Sequence, residues 1–142
     1  MTVTALVASI VLIAINAWFV AWEFALVAAQ TSKLDALAED GSKRAALALG
    51  ALHRRSRHLV GAQLAITVAS LALGVLAEPG VAQLIEPIVE LFGDPPSGVV
   101  RGVSLVVAFA LVALLHMVLG EMVPKWLALA GPERTVLALA PV

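Results

Sequence analysis

The 142-residue chain is 61% apolar and only 13% charged, with nine Lys and Arg against ten Asp and Glu and a mean hydropathy of +1.01. Soluble domains run about 45–50% apolar and ~25% charged, and a chain this short could not bury the excess, so it reads as an all-α membrane protein. The basic residues cluster in 33–57 but form no extended surface of the kind that follows a phosphate backbone, so no nucleic-acid partner is expected, and the absence of Cys excludes disulfides, thiolate metal sites and cysteine nucleophiles.

The first apolar run covers residues 3–29, with Asn16 and Glu23 as its strongly polar interruptions. At ~1.5 Å per residue it spans roughly 40 Å, enough to cross a ~30 Å hydrocarbon core with tilt. It lacks a basic leader region and is too long for a signal-peptide core, so it is expected to be a retained transmembrane helix. Asn16, Val20 and Glu23 fall at i, i+4 and i+7, on one helical face.

Residues 30–58 follow with apolar positions at helical spacing (Leu34, Leu37; Leu47, Leu49, Leu52), which predicts one or two amphipathic juxtamembrane helices. This segment holds six of the nine basic residues: Lys33, Lys43, Arg44, Arg54, Arg55 and Arg57. The second membrane helix is expected over 59–76, where Gln63, Thr67, Ser70 and Gly74 form a polar-to-small stripe. Such a stripe suits either helix packing or an ion path. Residues 77–98 carry Glu78, Glu86, Glu90 and Asp94 with no Lys or Arg and are expected as a loop. The positive-inside rule places 30–58 in the cytoplasm, with the N-terminus and the 77–98 loop outside.

The third membrane helix is expected over 99–129 and contains His116-Met-Val-Leu-Gly120-Glu121-Met-Val-Pro124-Lys125. Pro124 has no N–H, so the Gly120 carbonyl four residues earlier loses its helical donor. Within lipid a freed carbonyl must find protein, water or an ion. Beside the Glu121 carboxylate it offers the hard oxygen ligands that Mg²⁺, Ca²⁺ or Na⁺ takes. The plainer reading pairs Glu121 with Lys125 at i+4 and leaves Pro124 to kink the helix. His116 reads as a packed or hydrogen-bonded helix residue. Gly131-Pro132 breaks the helix, and residues 133–142 look like the first turns of another, so the sequence reads as a piece of a longer chain.

The stretches NAWFVAWEFALVAAQTSKL (16–34), GAQLAITVASLALGVLAEP (61–79) and HMVLGEMVPKWLAL (116–129) resemble the transmembrane domain of the CNNM/CorC family of cyclin M-like, hemolysin-related membrane proteins. The resemblance runs through nearly the whole chain in order, with Gly-Glu-x-x-Pro-Lys as its most specific element. It implies three transmembrane helices with juxtamembrane helices, a homodimer in the plasma membrane, Mg²⁺ efflux that is Na⁺-coupled in some members, and an ion site drawn from all three helices including Glu121. Full-length members continue into a CBS pair that binds adenine nucleotides, and these 142 residues contain none. The chain departs from the family pattern at Val20, where a serine is common, and in the Thr67/Ser70 region, where an asparagine is expected.

These readings make 1–142 the membrane module of a divalent-cation transporter, with Mg²⁺ the expected ion and Na⁺ the candidate coupling ion. Glu121, the Gly120 carbonyl, Asn16, Thr67 and Ser70 form the expected metal set, with Glu23, Gln63, Pro124 and Lys125 in support. The alternative is a non-transporting anchor and dimerisation module for a cytoplasmic regulatory domain. No serine–base constellation and no H-E-x-x-H spacing is present, so an enzyme is not expected.

Overall fold

The first helix, α1 (Val3–Ala28), is the element around which the others gather. In the computed structural model, which describes residues 3–91 and 96–140, it is followed by α2 (Thr31–Glu39), α3 (Lys43–His53), α4 (Arg55–Glu90) and α5 (Ser97–Leu115). A π-helical turn (His116–Met122) then leads into α6 (Val123–Ala130), and α7 (Pro132–Leu139) completes the described chain. Among the described residues there is no strand, in agreement with the all-α expectation. Three continuous helical stretches, Thr4–Ala28, Arg55–Glu90 and Ser97–Ala130, are long and apolar enough to cross a membrane.

Side-chain pairings give their directions. On α1 and α4, Trp22 meets His58 edge-on with ring centroids 5.7 Å apart, and Glu23 meets Gln63. Ser70 of α4 meets His116, and Gly74 and Glu78 share a hollow with Phe109 and Val112, so α4 and α5 run antiparallel. Asn16 and Phe24 of α1 meet Gly120 and Lys125 in the same order along the chain, so α1 and the third span run parallel.

The second span is longer than the 59–76 expected. It begins at Arg55 and continues as helix through Pro79 and Pro87 to Glu90, so most of the expected 77–98 loop is helical. Each proline removes one N–H from the ladder, yet Val81, Leu84, Ile85 and Ile88 recur at helical spacing, and Ala77 and Ala82 are buried. Asp94, counted with that acidic segment, lies outside the described residues.

The juxtamembrane segment forms two helices. Gly41, at φ +89°, takes the left-handed backbone that separates them, and the Ser42 hydroxyl accepts the Ala45 N–H to cap α3. The apolar faces of α2, α3 and α7 close over the end of α1. There Leu26, Leu34, Ala48, Ala128 and Val136 are fully buried with Trp22 and Leu52 beside them. Three of the five largest fully buried side chains among the described residues, Leu26, Leu34 and Val136, lie in this knot. In the membrane-spanning windows, only 17%, 17% and 11% of residues are buried. Large side chains such as Leu64, Leu71, Val75, Val106 and Phe109 stand exposed and so face lipid or another chain.

Glu133, in the first turn of α7, ties that helix to the α1–α2 junction. Its Oε1 accepts the Gln30 N–H at 3.3 Å and pairs with Lys33 Nζ at 3.2 Å. Its own backbone N–H, then the Lys33 ammonium and the Gln30 N–H, hold its carboxyl below the usual carboxylate value against the opposing effect of partial burial. A lowered folded-state pKa gives stability that is present above the unfolded value, near 4.5, and lost as pH falls through the folded value.

Two stability predictions follow from this knot. Leu26→Ala will cost about 2–5 kcal/mol, while exposed Val27→Ala will cost far less, read as thermal unfolding midpoints in detergent. Glu133→Gln will lower the midpoint slightly at neutral pH, on the surface ion-pair scale of under ~1 kcal/mol. That difference will close as pH falls below the carboxylate range, and an unchanged gap at low pH would contradict the pairing.

Candidate ion site at the π-helical turn

Pro124 and Gly120 shape the local backbone before any side chain enters. Without a proline N–H the third span cannot continue its α ladder across this point, and the chain widens into π geometry over His116–Met122. The Val123 N–H accordingly donates to the carbonyl of Val118, five residues back. In an ordinary α-helix, residues five apart lie roughly 140° apart around the axis. In the wider turn His116 and Glu121 meet, with Nε2 and Oε1 3.2 Å apart.

The freed Gly120 carbonyl is satisfied by protein. It accepts a 3.0 Å hydrogen bond from Asn16 Nδ2, with the Asn16 side chain fully buried. A carbonyl can only accept, so the amide orientation is fixed by chemistry, and the group left over is Asn16 Oδ1. That oxygen is buried without a hydrogen-bond partner, as is His116 Nδ1. Gly120 eases this approach: a Cβ there would lie 3.2 Å from both Asn16 Nδ2 and His116 Nδ1, closer than ordinary contact, so those side chains would have to give way.

From His116 the polar contacts continue to α4. Its Nε2 is 3.1 Å from Ser70 Oγ, whose hydroxyl also donates to the Ile66 carbonyl at 2.8 Å. Asn16, Gly120, Glu121 and Ser70 are thus assembled from all three spans, with His116 at their centre. Thr67 is not drawn in. It is exposed, and its hydroxyl donates to the Gln63 carbonyl of its own helix. Gln63 Nε2 instead donates to Glu23 Oε1 at 3.1 Å, a separate polar pair between α1 and α4. The i+4 pairing of Glu121 with Lys125 does not occur. Lys125 Nζ sits 4.8 Å from the centroid of the Phe24 ring, a cation–π contact, and Glu121 remains about half exposed.

His116 is hydrogen-bonded within the helix bundle, as expected, but its contact with Glu121 is one that sequence reasoning missed. The α-helical template separates it from Glu121, whereas the Gly120/Pro124 spacing signals a lost ladder bond and, with it, possible π geometry. Among the described residues no three His, Asp or Glu side chains gather as a metal cluster. The donor set is one carboxylate with neutral oxygens and an imidazole.

The crowding at Gly120 predicts non-additive mutations. Asn16→Ala will cost about 1–2 kcal/mol by stranding the Gly120 carbonyl. Gly120→Ala will also destabilise by pressing on Asn16 and His116. The double variant will lose less than the two added together, because truncating Asn16 makes room for the new methyl. Strict additivity of the unfolding midpoints would contradict this contact.

Comparison with known proteins places this geometry in a lineage. Residues 7–142 match the family described as Cyclin M transmembrane N-terminal domain. The chain is 44% identical over 138 residues to the protein Rv1841c of Mycobacterium tuberculosis, covering 97% of this chain and 39% of that protein. It is 43% identical over 130 residues to the UPF0053 protein YhdT of Bacillus subtilis (92% and 28%), and 38% identical over 141 residues to the UPF0053 protein YugS of the same organism (99% and 32%). The chain therefore spans less than two-fifths of the length of these relatives. With three membrane-spanning helices, a matching family domain and relatives aligned across nearly all its residues, the chain belongs to the CNNM (cyclin M) transmembrane-domain family.

Proposed function

We infer that the chain is the membrane module of a divalent-cation transporter, with Mg²⁺ as the transported ion and Na⁺ as the coupling ion. It would work as a multi-pass plasma-membrane homodimer. The observation that carries this reading is Asn16 Oδ1, a buried oxygen without a hydrogen-bond partner, oriented by the bond from the same amide to the Gly120 carbonyl. An unsatisfied buried acceptor costs free energy, and a cation is one partner that removes the cost. The half-exposed Glu121 carboxylate supplies the charge. A carboxylate facing acyl chains is costly, so a water-filled cavity or a second copy is its natural surrounding.

In this mechanism Glu121, Asn16 Oδ1, the second lone pair of the Gly120 carbonyl and Ser70 Oγ bind an ion that keeps several of its waters, as Mg²⁺ does. Binding exchanges the His116 contact of Glu121 for the cation and returns Ser70 and His116 to one another when the ion leaves. A second reading, an anchor and dimerisation module for a cytoplasmic domain, is favoured by one observation. Val20, where the family resemblance leads one to expect serine, is buried as a packing residue and offers no oxygen.

Flux of Mg²⁺ into vesicles carrying the full-length protein separates the two. Glu121→Gln should reduce it on the order of tenfold or more, the scale on which groups that orient a metal act. Asn16→Leu should do the same, while Thr67→Val should change it little. Equal flux from wild type and Glu121→Gln, with no Mg²⁺-dependent rise in unfolding midpoint, would leave the anchor reading standing.

A further inference from the structure

We propose that the junction of α3 and α4 is a binding site for an anionic phospholipid, with the headgroup held by Arg54 and Arg57 and one acyl chain lying along α1. The argument begins with charge. His53-Arg54-Arg55-Ser56-Arg57-His58 places three arginines in four residues where the second span starts. Among the described residues no Asp or Glu lies within ion-pairing distance of any of them, and Arg55 Nε is buried without an acceptor. Guanidinium groups present paired donors that match phosphate oxygens.

A hollow of about 440 Å³ is lined by His53, Arg54, Ser56 and Arg57. Arg57 is shared with a second groove of about 380 Å³, which passes His58 and Gly61 and runs between Trp18 and Trp22 of α1 and the tail of α7. Trp18 and Phe19 are shared in turn with a third hollow of about 540 Å³ that continues to Val11. The wall changes along this path from arginine to stacked tryptophan to aliphatic, the order of headgroup, interface and acyl chain.

The length fits as well. From Trp22 to Val11 is about 16 Å of helix, half of a ~30 Å hydrocarbon core and so the depth of one leaflet. A soluble anion would fill the cationic hollow alone and leave the apolar extension without purpose. A docked protein segment would not require the polarity to change with depth.

The test uses brominated acyl chains, which quench tryptophan on contact. Trp126 is exposed elsewhere and is removed as Trp126→Phe, leaving Trp18 and Trp22 as reporters. In nanodiscs, brominated phosphatidylglycerol should quench at about fivefold lower mole fraction than brominated phosphatidylcholine, the enrichment expected from an arginine held at an anionic surface. Arg54→Gln with Arg57→Gln should abolish that preference, and Arg101→Gln, at the start of the third span, should preserve it. Gly61→Leu, whose added side chain meets nothing within 4 Å at its Cβ, should enter the groove and weaken quenching by both lipids. Equal quenching by the two lipids in the unsubstituted groove overturns the proposal even if the arginine variants fail to fold. So does a preference that survives loss of both arginines, or full displacement of the lipid by inorganic phosphate, which would mark a soluble-anion site.

Discussion

The bond from Asn16 to the Gly120 carbonyl sets the relation between the first and third spans. A proline in a membrane helix strands a carbonyl where no water can reach it, and the bilayer makes that intolerable unless another group donates. Asn16 donates, and the glycine at position 120 leaves room for that approach. The same bond leaves the amide oxygen without a partner, so the repair of one unsatisfied acceptor creates another in its place. Structure and candidate chemistry are therefore coupled at a single residue.

The π-helical turn extends that coupling. It brings His116 and Glu121 together and connects them through Ser70 to the middle of α4. Lys125 sits over the Phe24 ring, so the lysine nearest in sequence does not neutralise the glutamate. Glu23 and Gln63 form a second polar pair nearer the end where the juxtamembrane helices gather. The polar groups of the spans thus fall into two clusters at different depths, with the family match covering both.

Much of this was legible in the residues. Three apolar runs placed three spans, and costly polar groups at membrane depth pointed to Asn16, Gly120 and Glu121. The end of the second span was not legible, because the acidic residues of 77–98 pointed to a loop while the flanks of Pro79 and Pro87 keep helical periodicity and buried alanines. The contact between His116 and Glu121 was hidden because a spacing of five has meaning only once the helix has widened. Helical phase placed Thr67 on the stripe but could not show that its hydroxyl bonds only within its own helix, whereas that of Ser70 also meets His116. The Lys33–Glu133 tie joins residues one hundred positions apart, beyond what local pattern can reveal.

The uneven distribution of packing has a consequence for how the molecule holds together. The three spans form a thin palisade with almost no interior of their own, while the dense knot of Leu26, Leu34 and Val136 lies at one end. Cohesion within the palisade is then supplied largely by whatever solvates its outer faces. The knot holds the spans together at one end, and the surrounding bilayer governs how firmly they stay upright against one another. For such a fold the thickness and composition of the membrane are structural variables on the same footing as the amino-acid sequence.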